Sequence, residues 1–161
     1  MIIKRFKLYL DTTIPNYVFA EHLPYKMKIT KALFEIAKQK RYELFISGVV
    51  LRELSEADEP KRTKLLSVIK GIKELSVTVE TENLAREYVK NKVITENFID
   101  DARHVAIATA NNLDAVVSWN YGHLVNINKI KGVNIVNEIM GYKHIEIISP
   151  EEVVEIETAR D

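Results

Sequence analysis

Tyr42-Glu43-Leu44-Phe45-Ile46-Ser47-Gly48-Val49-Val50-Leu51-Arg52-Glu53-Leu54 reads as a strand that passes directly into a helix. The run from Tyr42 to Ser47 has the length and apolar content of a buried strand, and Val49 to Ala57 continues as a helix. Working upstream, Lys28 to Lys40 places Ile29, Leu33, Ile36 and Ala37 at helical spacing. Lys7 to Asp11 reads as a first strand, followed by a turn and a helix that Pro15 can open. Downstream, Pro60 opens a helical stretch through Leu65, Leu66, Val68 and Ile69. Lys73 to Val79 reads as a strand, and Thr81 to Lys92 as a helix with Leu84, Ala85, Tyr88 and Val89 on one face. Asn97 to Asn112 is the strongest helix, with Asn97 as its cap and Asp100 at the third helical position, as in a capping box. Ala115 to Trp119 and His144 to Ser149 are further strands, and Pro150 to Glu157 closes the chain as a helix. Alternation of this kind predicts a three-layer α/β/α fold around a mainly parallel sheet of about five strands.

Composition narrows the function classes. The 161 residues suffice for one domain spanning 1–161 and are short for two. Lys+Arg and Asp+Glu stand at 23 each, so no general field draws the protein onto nucleic acid, and any basic surface must be local. No cysteine occurs, which excludes disulfides, thiolate catalysis and Cys-ligated zinc. Met1 to Phe6 is charged too early for a signal-peptide core, and runs such as Leu44 to Leu51 are too short to span a bilayer. A cytoplasmic protein is the expectation.

Parallel sheets of this type place their sites beyond the carboxyl ends of the strands, and acidic residues from three segments meet that condition. Asp11 ends the run Leu8-Tyr9-Leu10. Glu53 lies in the helix leaving the second strand, and Asp100 and Asp101 occupy the first turn of a helix that must also face a sheet edge. Carboxylates gathered in one place repel one another and take up protons unless a cation offsets them. Hard oxygen ligands suit Mg²⁺ or Mn²⁺, which can activate water against a phosphodiester. Each residue alone has an ordinary structural explanation: a turn residue for Asp11, a surface helix position for Glu53, a helix cap for Asp100. His104 reads either as a phosphate contact or as a packed histidine.

Taken together, these stretches resemble a known family. Leu8-Tyr9-Leu10-Asp11-Thr12-Thr13 is similar to the opening motif of PIN domains, a strand ending in Asp followed two residues later by Ser or Thr. Ile46-Ser47-Gly48-Val49-Val50-Leu51-Arg52-Glu53-Leu54 resembles the block that brings in the Glu. Asp101-Ala102-Arg103-His104-Val105-Ala106-Ile107-Ala108 is similar to the third block, whose register selects Asp101 rather than Asp100. Ser118-Trp119-Asn120-Tyr121-Gly122-His123-Leu124 resembles the block after the fourth strand in one subgroup. The ending of that subgroup, an Asn, a Gly-Tyr pair and a terminal strand closing on Pro, is matched by Asn128 or Asn137, Gly141-Tyr142 and Ile147-Ile148-Ser149-Pro150. The resemblance covers nearly the whole chain in order. It implies a PIN-like fold, dependence on Mg²⁺ or Mn²⁺ and endoribonuclease activity, possible action as a VapC-like toxin silenced by a small antitoxin, and homodimers.

One departure is Asn120, where many PIN nucleases carry a fourth acid. An Asn carbonyl can ligate Mg²⁺ or hold a ligating water but adds no negative charge. Asp114 precedes its strand and belongs at the opposite edge of the sheet. The resemblance thus gives Asp11, Glu53 and Asp101 as metal ligands, Thr13 as a donor to phosphate or metal-bound water, and Asn120 as an outer-shell group. Asp100, His104 and His123 are secondary candidates, His123 for nucleic acid. The alternative is a degenerate PIN module that binds RNA or a protein partner without cutting. Basic clusters at Lys38-Gln39-Lys40-Arg41 and Lys61-Arg62-x-Lys64, with Lys129 and Lys131, are candidates for substrate contact. Candidates for a dimer interface are the helix pair Lys28 to Lys40 and Pro60 to Ile72, and the terminal helix with Val153, Val154 and Ile156.

Overall fold

Five parallel strands run in the spatial order β3-β2-β1-β4-β5 in a computed structural model that describes residues 4–39 and 41–158. They are β1 (Phe6–Leu10), β2 (Tyr42–Ser47), β3 (Lys73–Leu75), β4 (Ala115–Val117) and β5 (Glu146–Ile148). Central β1 pairs with β2 through Phe6↔Tyr42 to Tyr9↔Phe45 and with β4 through Leu8↔Ala115 to Leu10↔Val117. The helices are α1 (Thr13–Tyr17), α2 (Pro24–Lys38), α3 (Gly48–Ser55), α4 (Lys61–Ile69), α5 (Val79–Lys90), α6 (Ile99–Ala110), α7 (Ile127–Ile139) and α8 (Pro150–Thr158). One group packs as α1 and α8 on α2, another as α6 and α7 on α5, giving an α/β/α sandwich. Tyr9, Leu10, Val116 and Val117 are buried between these layers beside Val105 and Ala106 of α6. Strand order reverses between β1 and β4, so the connections diverge there and leave a crevice at the carboxyl ends of both strands. No helix among the described residues is long and apolar enough to cross a membrane.

Several expectations need correction. Asn97 does not cap α6. A 3-10 turn over Glu96–Phe98 precedes that helix, and Phe98 stands at its cap with no side-chain bond. Asp100 lies in the first turn but turns to arginines instead of completing a capping box. Strand β3 stops at Leu75 rather than Val79. Its partner among the described residues, β2, ends at Ser47, and Thr78 and Thr81 form a reciprocal capping box that starts α5 at Val79. Val153 of α8 is 1% exposed in the protein's own core, with Val154 packed against that core, so this part of α8 is not a free dimer surface. The side chain of Ile156 lies outside the described residues.

Helix α7 is absent from the sequence reading for a physical reason. Ile127-Asn128-Lys129-Ile130-Lys131-Gly132-Val133-Asn134-Ile135-Val136-Asn137 is rich in β-branched residues and Asn and contains Gly, all poor helix formers. Tertiary contacts hold it. Asn126 accepts the Lys129 amide as a cap, and a Cβ on Gly132 would approach Val93 Cγ1 at 2.9 Å. Buried Asn134 receives the Ile145 amide at 2.7 Å and donates to the Ile145 carbonyl at 2.9 Å, pinning α7 to the chain entering β5.

Candidate active site

Asp11 leaves β1 at the crevice, its amide bonded to Val117 O at 3.3 Å. Its carboxylate is 2% exposed at the residue level and fully engaged. One oxygen accepts from the Thr13 amide at 3.0 Å and from the Thr13 hydroxyl, the other from the Ser118 hydroxyl. Burial lifts the Asp11 pKa above the ordinary carboxylate range, although His104 and the bonds from Ser118 and Thr13 pull the other way. Thr13 Oγ1 also accepts the Trp119 amide at 2.9 Å, and Ser118 Oγ accepts the Asn120 amide at 2.9 Å. The hydroxyl of Thr13 is therefore directed at Asp11 and fastens the exit of β4 to that of β1.

Glu53 is carried in by α3, which follows β2 without a loop because Ser47 caps it. Its Oε1 accepts from Thr12 Oγ1 and from His104 Nε2, both at 2.8 Å. Burial raises the Glu53 pKa, but the His104 bond and charge and the Thr12 bond more than offset this and hold it below the usual value. His104 itself is 2% exposed, with Nδ1 at 2.6 Å from the Tyr9 hydroxyl. Its burial opposes protonation, while the Glu53 bond and the charges of Asp11, Glu53 and Asp101 raise its pKa overall. A buried ring with both nitrogens engaged is not a surface for phosphate.

Asp101 differs from its neighbours. Its one hydrogen bond among the described residues is a long 3.5 Å approach from Asn120 Nδ2. Burial, with the charges of Asp11 and Glu53 and against those of His104 and His123, pushes its pKa up to about 6. The β4 exit supplies Asn120, whose Oδ1 accepts the His123 amide at 2.9 Å. His123 stacks on Phe98 with ring centroids 3.8 Å apart.

Asp100 belongs to a different network. Its Oδ1 is shared by Arg52 at 2.7 Å and Arg103 at 2.9 Å. Burial raises its pKa, but these two guanidiniums more than compensate and leave it lowered. Arg103 also grips Glu82 through two bonds of 2.9 Å. Asp114 lies at the other edge, receiving the Lys7 amide at 2.8 Å and Lys4 at 3.0 Å. Of the basic candidates, Lys38 pairs with Glu35, Arg62 with Glu59, and Lys129 donates to the Val93 carbonyl. Lys40 lies outside the described residues.

The donor set can be tested against a divalent cation. Among the described residues, no group of three or more His, Asp or Glu side chains already stands placed to hold a metal ion. Asp11 is bonded by Thr13 and Ser118, and Glu53 Oε1 by Thr12 and His104. The chemistry nevertheless fits a hard cation. Asp101 is a nearly unbonded carboxylate whose pKa is raised first by burial and then by the charges of Asp11 and Glu53, against those of His104 and His123. Sequence reasoning missed Thr12 and Ser118, which bond Glu53 and Asp11 directly, and Tyr9 and Ser47, which stand behind His104. All four lie within the quoted blocks, but nothing in those blocks says which of them bonds a carboxylate.

No protein-family model matches the sequence, and no curated protein matches it. Solved structures do match. A chain in the crystal structure of VapBC2 from Rickettsia felis, bound to a DNA fragment from their promoter, is 17% identical with a TM-score of 0.55, over 89% of this chain and 98% of that one. A chain of VapBC-1 from nontypeable Haemophilus influenzae is 13% identical with a TM-score of 0.58, over 91% of this chain and 99% of that one. The likeness is one of fold, and by its fold this chain is a PIN-like α/β/α domain of the kind found in these VapBC structures.

Proposed function

We infer that the chain is a divalent-metal-dependent endoribonuclease. What supports this reading is that Asp11 follows β1, Glu53 lies on the helix leaving β2 and Asp101 opens α6, near enough that the charges of Asp11 and Glu53 add to burial in pushing Asp101 up to about 6. These three residues would hold Mg²⁺ or Mn²⁺. When bound, such an ion lowers the pKa of an attacking water and stabilises charge on the phosphate oxygens. The chain's own groups do the positioning. Thr13 and Ser118 fix the Asp11 carboxylate, Thr12 and His104 fix Glu53, and the amide of Asn120 leans on Asp101. His123, stacked on exposed Phe98, would contact nucleic acid.

As the two similar structures are VapBC structures, the corresponding role is a cytoplasmic toxin, homodimeric and silenced by a small antitoxin. The test is cleavage of a mixed, labelled RNA pool with Mn²⁺, Mg²⁺ or EDTA. Cutting that requires metal supports the reading. Folded protein that cuts with neither ion sinks it and favours a module that binds without cleavage. That second reading draws on Asn120, which supplies no charge where many PIN nucleases have a fourth acid.

Asn120 gives a further prediction. Asn120→Asp adds a carboxylate against Asp101, so Mn²⁺ affinity is expected to rise on the order of 10-fold, or about 1.4 kcal/mol. The metal-free protein should melt at lower temperature because the new charge is repelled. Calorimetric titration with Mn²⁺ and melting in EDTA check both; unchanged affinity removes Asn120 from the site.

A further inference from the structure

The bonds that orient Glu53 arrive at one of its two oxygens. Thr12 and His104 both reach Oε1, and among the described residues no hydrogen bond reaches Oε2. Behind His104 the chain of bonds continues through buried groups. Nδ1 lies 2.6 Å from the Tyr9 hydroxyl, which lies 2.6 Å from Ser47 Oγ, which accepts the Val49 amide at 3.2 Å. Tyr9 and Ser47 are fully buried and His104 nearly so.

Donor counting gives this chain a direction. Oε1 of Glu53 takes the Thr12 hydroxyl and can only accept from the ring, so Nε2 of His104 is the donor in their bond. In the neutral ring Nδ1 then accepts from Tyr9, and the Tyr9 oxygen accepts from Ser47. Every proton has an acceptor, and an imidazolium would keep the same Nε2–H on Glu53. The chain also links the three acid-bearing segments. Tyr9 is two residues before Asp11, Ser47 caps the helix carrying Glu53, and His104 lies one turn beyond Asp101 on α6.

We propose that His104, held by Tyr9 and Ser47, is a positioning residue that fixes Glu53 through Oε1 and leaves Oε2 as the oxygen that binds a divalent cation. This rests on the metal-dependent reading above. Without the buried chain Glu53 would sample several rotamers, and each binding event would have to order it. Loss of such a supporting bond typically lowers metal affinity about 10- to 100-fold.

The experiment is Mn²⁺ titration of the full chain, with melting in EDTA as the folding control. His104→Leu is expected to weaken Mn²⁺ binding about 10- to 100-fold. His104→Gln, whose amide can replace the Nε2 donor, should stay within a few-fold of wild type. Tyr9→Phe, which keeps the ring, tests the chain if the leucine variant does not fold, with a smaller loss expected in the same direction. Long-range proton–nitrogen NMR of the imidazole gives a readout independent of metal: Nε2 protonated in wild type, with the Nδ1 resonance displaced in Tyr9→Phe. Folded His104→Leu that binds Mn²⁺ as wild type does overturns the proposal, as does an Nδ1 resonance unmoved by loss of the Tyr9 hydroxyl. Wild type that binds no Mn²⁺ brings down the metal-dependent reading itself, a different outcome from either.

Discussion

Replacing Asp101 by Asn is expected to abolish metal-dependent RNA cleavage while raising the melting temperature of the metal-free protein. The loss of cleavage should reach at least about 10²- to 10³-fold, the effect of removing one charge-stabilising group from a site. The gain in stability follows from the burial of a carboxylate near two others. Asp101 is mostly buried beside Asp11 and Glu53, with His104 and His123 as the opposing charges, and its pKa is pushed up to about 6. A carboxyl raised in the folded state favours its protonated form there. The penalty on folding is therefore absent below about pH 4, grows as pH rises, and is complete above about pH 6. Its ceiling is about 3 kcal/mol, so a gain of roughly 1–3 kcal/mol, or about 2–10 °C, is expected for Asp101→Asn at neutral pH in EDTA. The same variant should lose the decline of wild-type stability between about pH 4 and 6. A melting temperature that falls instead would mean that Asp101 is a structural residue. With Mn²⁺ present the order should reverse, because a ligand that binds only the folded form stabilises wild type alone.

The second large effect lies far from chemistry. Asn134→Ala should destabilise the protein by about 3 kcal/mol or more, lowering the melting temperature by roughly 10 °C. Asn134 is 9% exposed and its amide acts as a strand-like partner for Ile145, which is 2% exposed. Alanine would leave the Ile145 amide and carbonyl without their partners at 2.7 and 2.9 Å. It would also release the Asn137 amide, which donates to Asn134 at 3.4 Å while accepting from Tyr88. Each buried polar group left unpaired costs about 1–3 kcal/mol. Asn134→Asp keeps the acceptor and loses the donor, so it should fall between the two. Chemical denaturation of the three proteins checks the series, and a cost under about 1 kcal/mol for alanine would show that water replaces the clamp.

Legibility from sequence followed how local the cause was. Strand β2 and helix α3 were readable because Ser47 both ends the strand and caps the helix, and no distant residue is needed. The placement of Asp11 at the end of β1 was legible for the same reason. Helix α7 was not, since its Asn- and β-branched-rich segment forms a helix only with Val93 against Gly132 and Ile145 against Asn134. Asn97 looked like a cap from spacing alone, but a preceding 3-10 turn moves the cap of α6 one residue on, to Phe98. Within the candidate site, the register of the Asp101 block separated Asp101 from Asp100, whereas the arginines that occupy Asp100 are contributed partly by α3 and could not be read locally.

By itself, then, the sequence determined the alternation of strands and helices, the parallel sheet, and which acidic residues fall at strand ends, because periodicity and capping act within a few residues. Apart from the local bonds of Thr13 to Asp11, only the tertiary structure decided what each carboxylate does with its lone pairs. Asp11 is claimed by Ser118 from the neighbouring strand exit, Glu53 by a histidine from another helix, and Asp101 by almost nothing. Those partners lie 107, 51 and 19 residues away in the chain, a separation at which no local pattern constrains a side chain and only packing brings it home.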